Sequence, residues 1–169
     1  MSVLKKGNIV LIGMPGAGKS TVGVVLAKNL GKGFLDSDLC IQAQEDRLLH
    51  EIISQEGLDG FIDIENRVNS SLQSKNNVIA TGGSVVYGKE AMEHLGQMGK
   101  VVYLRLPYEE IKERLGDLTK RGVALKEGQT LQQLYKERTP LYEKYADVII
   151  DCSRKPIRDI VAEISRKLR

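Results

Sequence analysis

Residues 13–21 hold the feature that most constrains what this chain can fold into. Their sequence, Gly-Met-Pro-Gly-Ala-Gly-Lys-Ser-Thr, completes the pattern Gly-x-x-x-x-Gly-Lys-Ser. In such a loop the glycines let backbone N–H groups approach phosphate oxygens, the lysine adds a positive charge, and the serine offers a hydroxyl to Mg²⁺. The pattern therefore predicts a nucleoside triphosphate site, whose expected nucleotide contacts are Gly16, Ala17, Gly18, Lys19, Ser20 and Thr21.

The segments on either side of this loop match what the motif requires. Residues 8–12, Asn-Ile-Val-Leu-Ile, are apolar and β-branched, which is typical of a buried parallel strand. After the loop, apolar residues recur at helical spacing as far as Leu30, and Gly31 is a plausible helix end. A glycine-rich surface turn with an incidental lysine would lack this strand–loop–helix order.

The rest of the chain alternates short apolar runs with amphipathic helical patterns. We expect a single domain over residues 1–169, because one core of this size buries enough apolar surface and no linker or repeat is visible. Alternating strands and helices predict a three-layer α/β fold with a five-stranded parallel sheet. The further predicted strands are 33–36, 77–81, 101–106 and 147–151, and the further predicted helices are 39–55, 61–72 (after an interruption at Gly57 and Gly60), 89–97, 108–115, 131–145 and 157–168.

Two carboxylates, Asp36 and Asp38, follow the predicted second strand directly. Ligands of open parallel sheets lie at the carboxyl ends of the strands. Carboxylates at that edge, near a phosphate loop, suit Mg²⁺ binding and contact with a hydroxyl group. The alternative is a turn followed by a helix N-cap, where Asp and Ser are favoured. Asp38 could serve both purposes.

Two later segments also suggest binding. Gly82 and Gly83 follow the predicted third strand, and paired glycines there allow a ligand to come close, although an ordinary turn is the alternative. Residues 116–130 lose apolar periodicity and accumulate Gly, Lys and Asp. A polar loop of this length is unusual in a compact domain unless it moves or binds, so we predict a lid there.

Composition argues against several other classes of protein. The chain is 41% hydrophobic and 28% charged, as globular proteins are. No apolar run approaches the ~18 residues of a membrane span, and the start is too short for a signal peptide, so a cytoplasmic location is expected. Cys40 and Cys152 lack metal-type spacing, which predicts reduced thiols. The net charge of +3 mixes both signs without interleaved aromatics, so we predict no nucleic-acid partner. No membrane partner is expected either, and we expect a monomer.

In their order, these features resemble the shikimate kinase family, small P-loop kinases that phosphorylate a hydroxyl of shikimate with MgATP. The resemblance implies the sheet order 2-3-1-4-5, ATP as the phosphate donor, Mg²⁺ as the cofactor and a small hydroxylated acceptor that bears a carboxylate. The matching segments are the phosphate loop, Asp36-Ser37-Asp38, Phe61 with Glu65, Thr81-Gly82-Gly83, the lid, and residues 134–142 (Leu-Tyr-Lys-Glu-Arg-Thr-Pro-Leu-Tyr) followed by Tyr145-Ala146-Asp147.

The resemblance also implies roles on the acceptor side, in a region of about residues 38–75 and beyond. Asp38 would accept a hydrogen bond from the attacking hydroxyl as general base. Gly82 and Gly83 would lie against the acceptor. Arg138 would pair with the acceptor carboxylate, for which a planar and permanently charged guanidinium is suited.

On the nucleotide side, the resemblance implies that Ser20 and Asp36 order Mg²⁺, the latter through water. Arg121 in the lid would reach the transferred phosphate, as a catalytic residue beside Lys19 and Asp38. The adenine would be flanked by Arg114, Arg154 and Pro156.

Three positions depart from the family pattern, all on the acceptor side. Ile62 stands where the family usually has the arginine of Phe-Arg-x-x-Glu, Ser84 replaces the third glycine of Gly-Gly-Gly, and residues 121–125 replace an Arg-Pro-Leu-Leu-like run. Loss of that arginine is expected to weaken acceptor binding by about one to two decades. Two alternatives stay open: a related kinase for another small hydroxylated acceptor or a nucleoside monophosphate, and a nucleotide-binding module without kinase activity.

Overall fold

A parallel sheet of five strands forms the centre of the computed structural model, which describes residues 7–116 and 125–169. All neighbouring strands pair in parallel, in the order β2-β3-β1-β4-β5, which confirms the predicted fold class and strand order. The strands are β1 (Asn8–Ile12), β2 (Gly33–Asp36), β3 (Asn77–Ala80), β4 (Gly99–Arg105) and β5 (Val148–Asp151).

Helices connect successive strands and cover the sheet. Residues 9–12 of the central strand β1 are fully buried, which requires packed layers on both faces of the sheet. The helices are α1 (Lys19–Leu30), α2 (Ser37–Glu45), α3 (Leu49–Ser70), α4 (Lys89–Met98), α5 (Tyr108–Leu115), α6 (Leu131–Tyr145) and α7 (Ile157–Lys167), with a short 3₁₀ helix at Val85–Tyr87. Helix α1 packs with α7, and α3 packs with α4.

The region between β2 and β3 differs most from the sequence prediction. The helix expected over 39–55 ends at Glu45, where Asp46 turns into a left-handed conformation with φ 53°. Helix α3 then begins at Leu49 and continues through Gly60, so the predicted interruption at Gly60 was wrong, whereas Gly57 is non-helical (φ 76°, ψ 172°) as expected. The helix resumes because Ile52 before the kink and Phe61 after it belong to the same small buried cluster.

Other element boundaries agree with the prediction to within two residues. Strand β4 begins earlier than expected because Gly99 and Lys100 pair with the start of β1. Strand β5 begins at Val148, one residue later than predicted, and just before it the Asp147 side chain accepts a hydrogen bond from the Val101 N–H (2.8 Å). Cys152 is a free buried thiol. None of the helices in the described ranges has the length and apolarity needed to cross a membrane.

Candidate active site

The loop between β1 and α1 is held in a conformation that only glycine adopts easily. Gly13, Gly16 and Gly18 all have positive φ, at 152°, 82° and 92°. A Cβ at Gly13 would also lie 2.8 Å from the carbonyl oxygen of Leu104, on the neighbouring strand β4. The backbone can therefore bend closely around a ligand at the carboxyl edge of the sheet.

Lys19 is the first residue of helix α1, and its ammonium group returns over the loop. Its Nζ donates to the carbonyl oxygens of Gly13 (2.6 Å) and Met14 (2.9 Å). The residue is 8% exposed, and burial lowers the pKa of Lys19 to about 8, against an opposing pull from the charge of Asp38. A positive charge at a helix N-terminus beside inward-pointing N–H groups suits a polyphosphate.

Asp36 and Asp38 lie in different positions at the end of β2, and Asp36 is the one that caps the following helix. Asp36 ends β2 and is the N-cap of α2, where its Oδ1 accepts from the Asp38 N–H (2.9 Å). Asp38 lies in the first turn of that helix, and its Oδ1 is buried without a hydrogen-bond partner among the described residues. Burial and the neighbouring charge of Asp36 raise the pKa of Asp38 to about 6. The suggestion that Asp38 could also be the helix N-cap is therefore wrong, because Asp36 occupies that position.

The two glycines after β3 leave room for neighbouring side chains. A Cβ at Gly82 would lie 2.7 Å from Oδ1 of Asp38 and 2.9 Å from Oε2 of Glu65. A Cβ at Gly83 would lie 2.7 Å from Cδ of Pro15 and 2.9 Å from Nη1 of Arg138. Both positions therefore exclude a side chain. The carboxyl groups of Asp38 and Glu65 lie beside Gly82, and the guanidinium of Arg138 lies beside Gly83.

Glu65, on helix α3, is the most deeply buried acid of this region, with 2% of its surface exposed. Its Oε1 accepts from the hydroxyl of Ser84 (2.6 Å), whereas its Oε2 has no hydrogen-bond partner in the described chain. Burial raises the pKa of Glu65 to about 7, and the charge of Asp38 adds to the effect, while the Ser84 hydrogen bond opposes it. Two carboxyl groups that face one point do not ionise independently.

Arg138, on helix α6, is 2% exposed and lies against Tyr87. Its Cζ lies 5.4 Å from the centroid of the Tyr87 ring, and its Nε is 3.4 Å from the Tyr87 hydroxyl. That hydroxyl donates to Oε1 of Glu137 (2.8 Å). The side chain of Tyr142 donates to the carbonyl oxygen of Gly83 (2.6 Å), which ties α6 to the glycine turn. The guanidinium is thus fixed in direction, as binding of a planar carboxylate requires.

These groups line one open cavity of about 360 Å³. The phosphate loop forms one side, and Asp38, Glu65, the glycine turn and Arg138 form another. The full lining is Pro15, Gly16, Gly18, Lys19, Ser20, Thr21, Asp38, Leu49, Ile53, Phe61, Glu65, Thr81, Gly82, Gly83, Ser84 and Arg138. A smaller cavity of about 240 Å³ lies on the other side of Arg138 and is lined in part by Ile62, Leu58 and Tyr87.

Four predicted nucleotide contacts do not line this cavity, and one of them, Ala17, is buried within the phosphate loop. Arg114 on α5 donates from Nη1 to the Gly16 carbonyl (3.1 Å) and so lies beside the phosphate loop. Arg154 is exposed in the loop before α7, and Pro156 is the exposed N-cap of that helix. Glu110 links the two sides, since it accepts from the Ser153 hydroxyl and lies near both arginines. These residues border a shallow surface next to the loop.

The oxygen donors at the loop fit Mg²⁺. No cluster of three or more His, Cys, Asp or Glu side chains with metal-binding geometry occurs in residues 7–116 and 125–169. Mg²⁺ does not need one, because it keeps several waters and takes one or two protein oxygens together with substrate phosphates. Ser20 is exposed at the start of α1, and Asp36 ends β2. Both side chains carry oxygen atoms of the hard kind that this ion prefers.

The structure brings together most of the residues named from the sequence, and it adds three. Arg121 and most of the proposed lid lie outside the described residues. Tyr87, Leu49 and Ile53 were not anticipated as site residues, since an apolar helical pattern or an isolated tyrosine carries no sign of a ligand. Ser84 was noted only as a departure from glycine, and its bond to Glu65 was not foreseen.

Comparisons with known proteins agree with this geometry. A family model described as shikimate kinase matches residues 15–169. A shikimate kinase of Nitrosococcus oceani is 38% identical over 166 residues, covering 96% of this chain and 87% of that protein. One from Francisella tularensis subsp. holarctica is 38% identical over 167 residues, covering 96% and 95%.

Solved structures give the same result. Shikimate kinase from Acinetobacter baumannii in complex with shikimate matches with a TM-score of 0.84 and 37% identity over 96% of both chains. Shikimate kinase from Aquifex aeolicus matches with a TM-score of 0.81 and 33% identity over 95% of both chains. The chain therefore belongs to the shikimate kinase family.

Proposed function

We propose that this chain transfers the γ-phosphoryl group of ATP to a hydroxyl of shikimate, giving shikimate 3-phosphate and ADP. One observation carries the proposal. A single cavity is lined by a phosphate loop with its lysine, by Asp38, whose buried Oδ1 has no hydrogen-bond partner among the described residues, and by Arg138, whose guanidinium lies over the Tyr87 ring. A donor, a base and a carboxylate anchor are what this reaction needs.

The phosphate loop supplies the donor end of the proposed reaction. Gly16, Ala17, Gly18 and Thr21 bind the triphosphate through the loop and the first turn of α1, and Lys19 carries the positive charge that phosphate oxygens require. Arg114, Arg154 and Pro156 border the surface on which the adenine would rest. Mg²⁺ would be held by Ser20 and, through water, by Asp36, and it would supply neutralisation of the phosphate charge.

The acceptor end is formed by Arg138, the glycine turn and Asp38. Arg138 pairs with the acceptor carboxylate, and Gly82 and Gly83 allow the acceptor ring to lie against the backbone. This fixes the ring so that one hydroxyl faces Asp38. Positioning of this kind supplies much of the rate enhancement in phosphoryl transfer, because the protein contributes little covalent chemistry.

The proposed transfer is a single displacement at the γ-phosphorus. The acceptor oxygen forms a bond to the γ-phosphorus while the bond from that phosphorus to the bridging oxygen of ADP breaks. ADP leaves with the electron pair, and the hydroxyl proton passes to Asp38. Arg121 would stabilise the transferred phosphoryl charge from the lid, and this role stays a prediction.

Family membership supports the choice of acceptor. The relatives carry the name shikimate kinase, and the Acinetobacter baumannii structure contains shikimate. The match covers almost all of this chain and of those structures.

A coupled assay of ADP release, with shikimate and MgATP, tests the proposal. We expect saturable turnover with shikimate and none with nucleoside monophosphates. Lys19→Ala should reduce kcat by at least ~100-fold, because one such charge contributes several kcal/mol in a water-poor site. Lys28→Ala, at an exposed lysine of the same helix, is the matched control and should keep normal kinetics.

The alternatives give different results in this assay. Turnover with another hydroxylated acid but not with shikimate would identify a different acceptor. Nucleotide binding without turnover of any acceptor would indicate a binding module and would contradict the proposal.

A further inference from the structure

Glu65 and Ser84 form a buried pair that the proposed transfer step does not use. The two residues lie on α3 and on the turn after β3, and both are buried, with 2% and 6% of their surfaces exposed. Among the described residues, only Oε1 of Glu65 has a hydrogen-bond partner, the Ser84 hydroxyl at 2.6 Å. A carboxyl group buried with one oxygen unpartnered is costly unless a ligand completes it.

The unpartnered oxygen faces the acceptor cavity. Glu65 lines the 360 Å³ cavity, and its Oε2 lies 2.9 Å from the point where a Cβ of Gly82 would be. Oδ1 of Asp38 lies 2.7 Å from the same point and is also unpartnered in the described chain. Two oxygens therefore converge on the space beside Gly82, and one of them belongs to the proposed general base.

Ile62 lies near this pair but brings no charged group to it. Ile62 lies three residues before Glu65 on α3, where side chains are neighbours on a helix. It lines the smaller cavity beyond Arg138 and offers no charge to Glu65. Within the described ranges no cation forms an ion pair with Glu65. The hydroxyl of Ser84 is the group that sets the direction of the carboxyl.

We propose that Ser84 is a positioning residue that holds Glu65 so that Oε2 hydrogen-bonds a second hydroxyl of the acceptor, adjacent to the hydroxyl that faces Asp38. The site is then one for a vicinal diol. This inference rests on the proposed function, since it assumes that the cavity binds the acceptor. It extends that function by naming the group that replaces the missing arginine and the part of the acceptor that it recognises.

The raised pKa of Glu65 agrees with this arrangement. Burial raises the pKa of Glu65 to about 7, so that a substantial fraction of the group is protonated near neutral pH; the Ser84 hydrogen bond and the charges of Arg138 and Lys19 oppose the rise, and the charge of Asp38 adds to it. A protonated carboxyl that accepts from Ser84 at one oxygen can donate from the other. A hydroxyl of the acceptor can receive that hydrogen bond.

The test compares shikimate with 4-deoxyshikimate, which lacks the hydroxyl next to the phosphorylated one. For the wild-type protein at saturating MgATP, we expect kcat/KM to be ~10- to 100-fold lower with the deoxy analogue, as for loss of one hydrogen bond to a buried carboxyl. Ser84→Ala should raise the KM for shikimate ~10-fold and reduce the discrimination between the two acceptors to under about 2-fold. The KM for ATP and kcat should change little.

Two further variants make the result specific. Ser165→Ala removes a hydroxyl on α7 that donates to the Val161 carbonyl of the same helix, and it should behave as wild type. The double variant Ile62→Arg with Ser84→Gly gives Glu65 a guanidinium in place of the hydroxyl. We expect it to recover the KM for shikimate and to show no discrimination against the deoxy analogue, because Glu65 is then held by the arginine. This variant also decides the matter if Ser84→Ala does not fold.

The inference is overturned if Ser84→Ala, or the double variant, discriminates against 4-deoxyshikimate as strongly as wild type. If the wild-type protein does not phosphorylate shikimate, the proposed function fails, and the comparison moves to cyclic 1,2-diol carboxylic acids and their mono-hydroxy analogues. A preference for the diols that Ser84→Ala removes would still support the subsite. The absence of such a preference, or of any turnover, would overturn it.

Discussion

Replacing Glu65 with glutamine should change how the stability of this protein depends on pH. Burial raises the pKa of Glu65 from 4.5 to about 7. Between these values the unfolded chain has lost the proton that the folded protein keeps. The free energy of unfolding therefore falls as the pH rises through this window, and the loss is nearly complete about one pH unit above the folded-state pKa.

The size of this effect follows from the pKa difference. At ~1.4 kcal/mol per pKa unit, the full loss amounts to about 3 kcal/mol, of which ~2 kcal/mol falls between pH 5 and pH 8. Glu65→Gln removes it. Relative to wild type, the variant should therefore gain ~2 kcal/mol of stability between pH 5 and pH 8. Any constant cost of placing an amide beside Ser84 cancels in this comparison.

Urea unfolding at the two pH values, followed by far-ultraviolet circular dichroism, measures the difference, since the chain contains no tryptophan. Asp63→Asn, an exposed acid-to-amide change on the same helix, should leave the pH dependence as in wild type. If Glu65→Gln and wild type lose stability equally over this range, then Glu65 does not titrate as a buried acid, and the reasoning is refuted.

Three further changes test the site. Gly83→Ala should lower kcat/KM by ~100-fold, because its Cβ would meet Pro15 and Arg138; Gly96→Ala, at an open helical position, should instead stabilise the fold by ~0.5–1 kcal/mol in thermal unfolding. Tyr87→Phe should raise the KM for shikimate several-fold with kcat and the KM for ATP unchanged, since it removes only the hydroxyl beside the Arg138 guanidinium; an altered kcat would contradict this role. Ile62→Arg should lower the KM for shikimate ~10-fold by adding a second cation beside Arg138; a higher KM would instead indicate an acceptor with less negative charge.

The proposed lid offers a separate measurement. Residues 116–130 are expected to close over the bound substrates and exclude water. Hydrogen exchange in this segment should slow when nucleotide and acceptor are bound together, and equal protection with and without them would exclude closure.

The sequence alone determined the parts of this protein that depend on local order. The phosphate loop follows from the spacing of Gly13, Gly18, Lys19 and Ser20, because glycine adopts the positive φ that such a loop needs without steric cost. The apolar run at residues 8–12 predicted the central strand for a similar reason, since a strand buried on both faces has few polar positions. The strand order came from family resemblance, because apolar patterns do not say which strands are neighbours.

The acceptor side depended on the tertiary structure. Periodicity placed Glu65 on a helix and Ser84 after a strand, but it could not show that their side chains meet. That contact arises because α3 packs against the turn after β3, where Gly82 leaves space for both Glu65 and Asp38. A hydrogen bond of this kind depends on positions to within a fraction of an ångström across separate elements, and only the packing of those elements decides them.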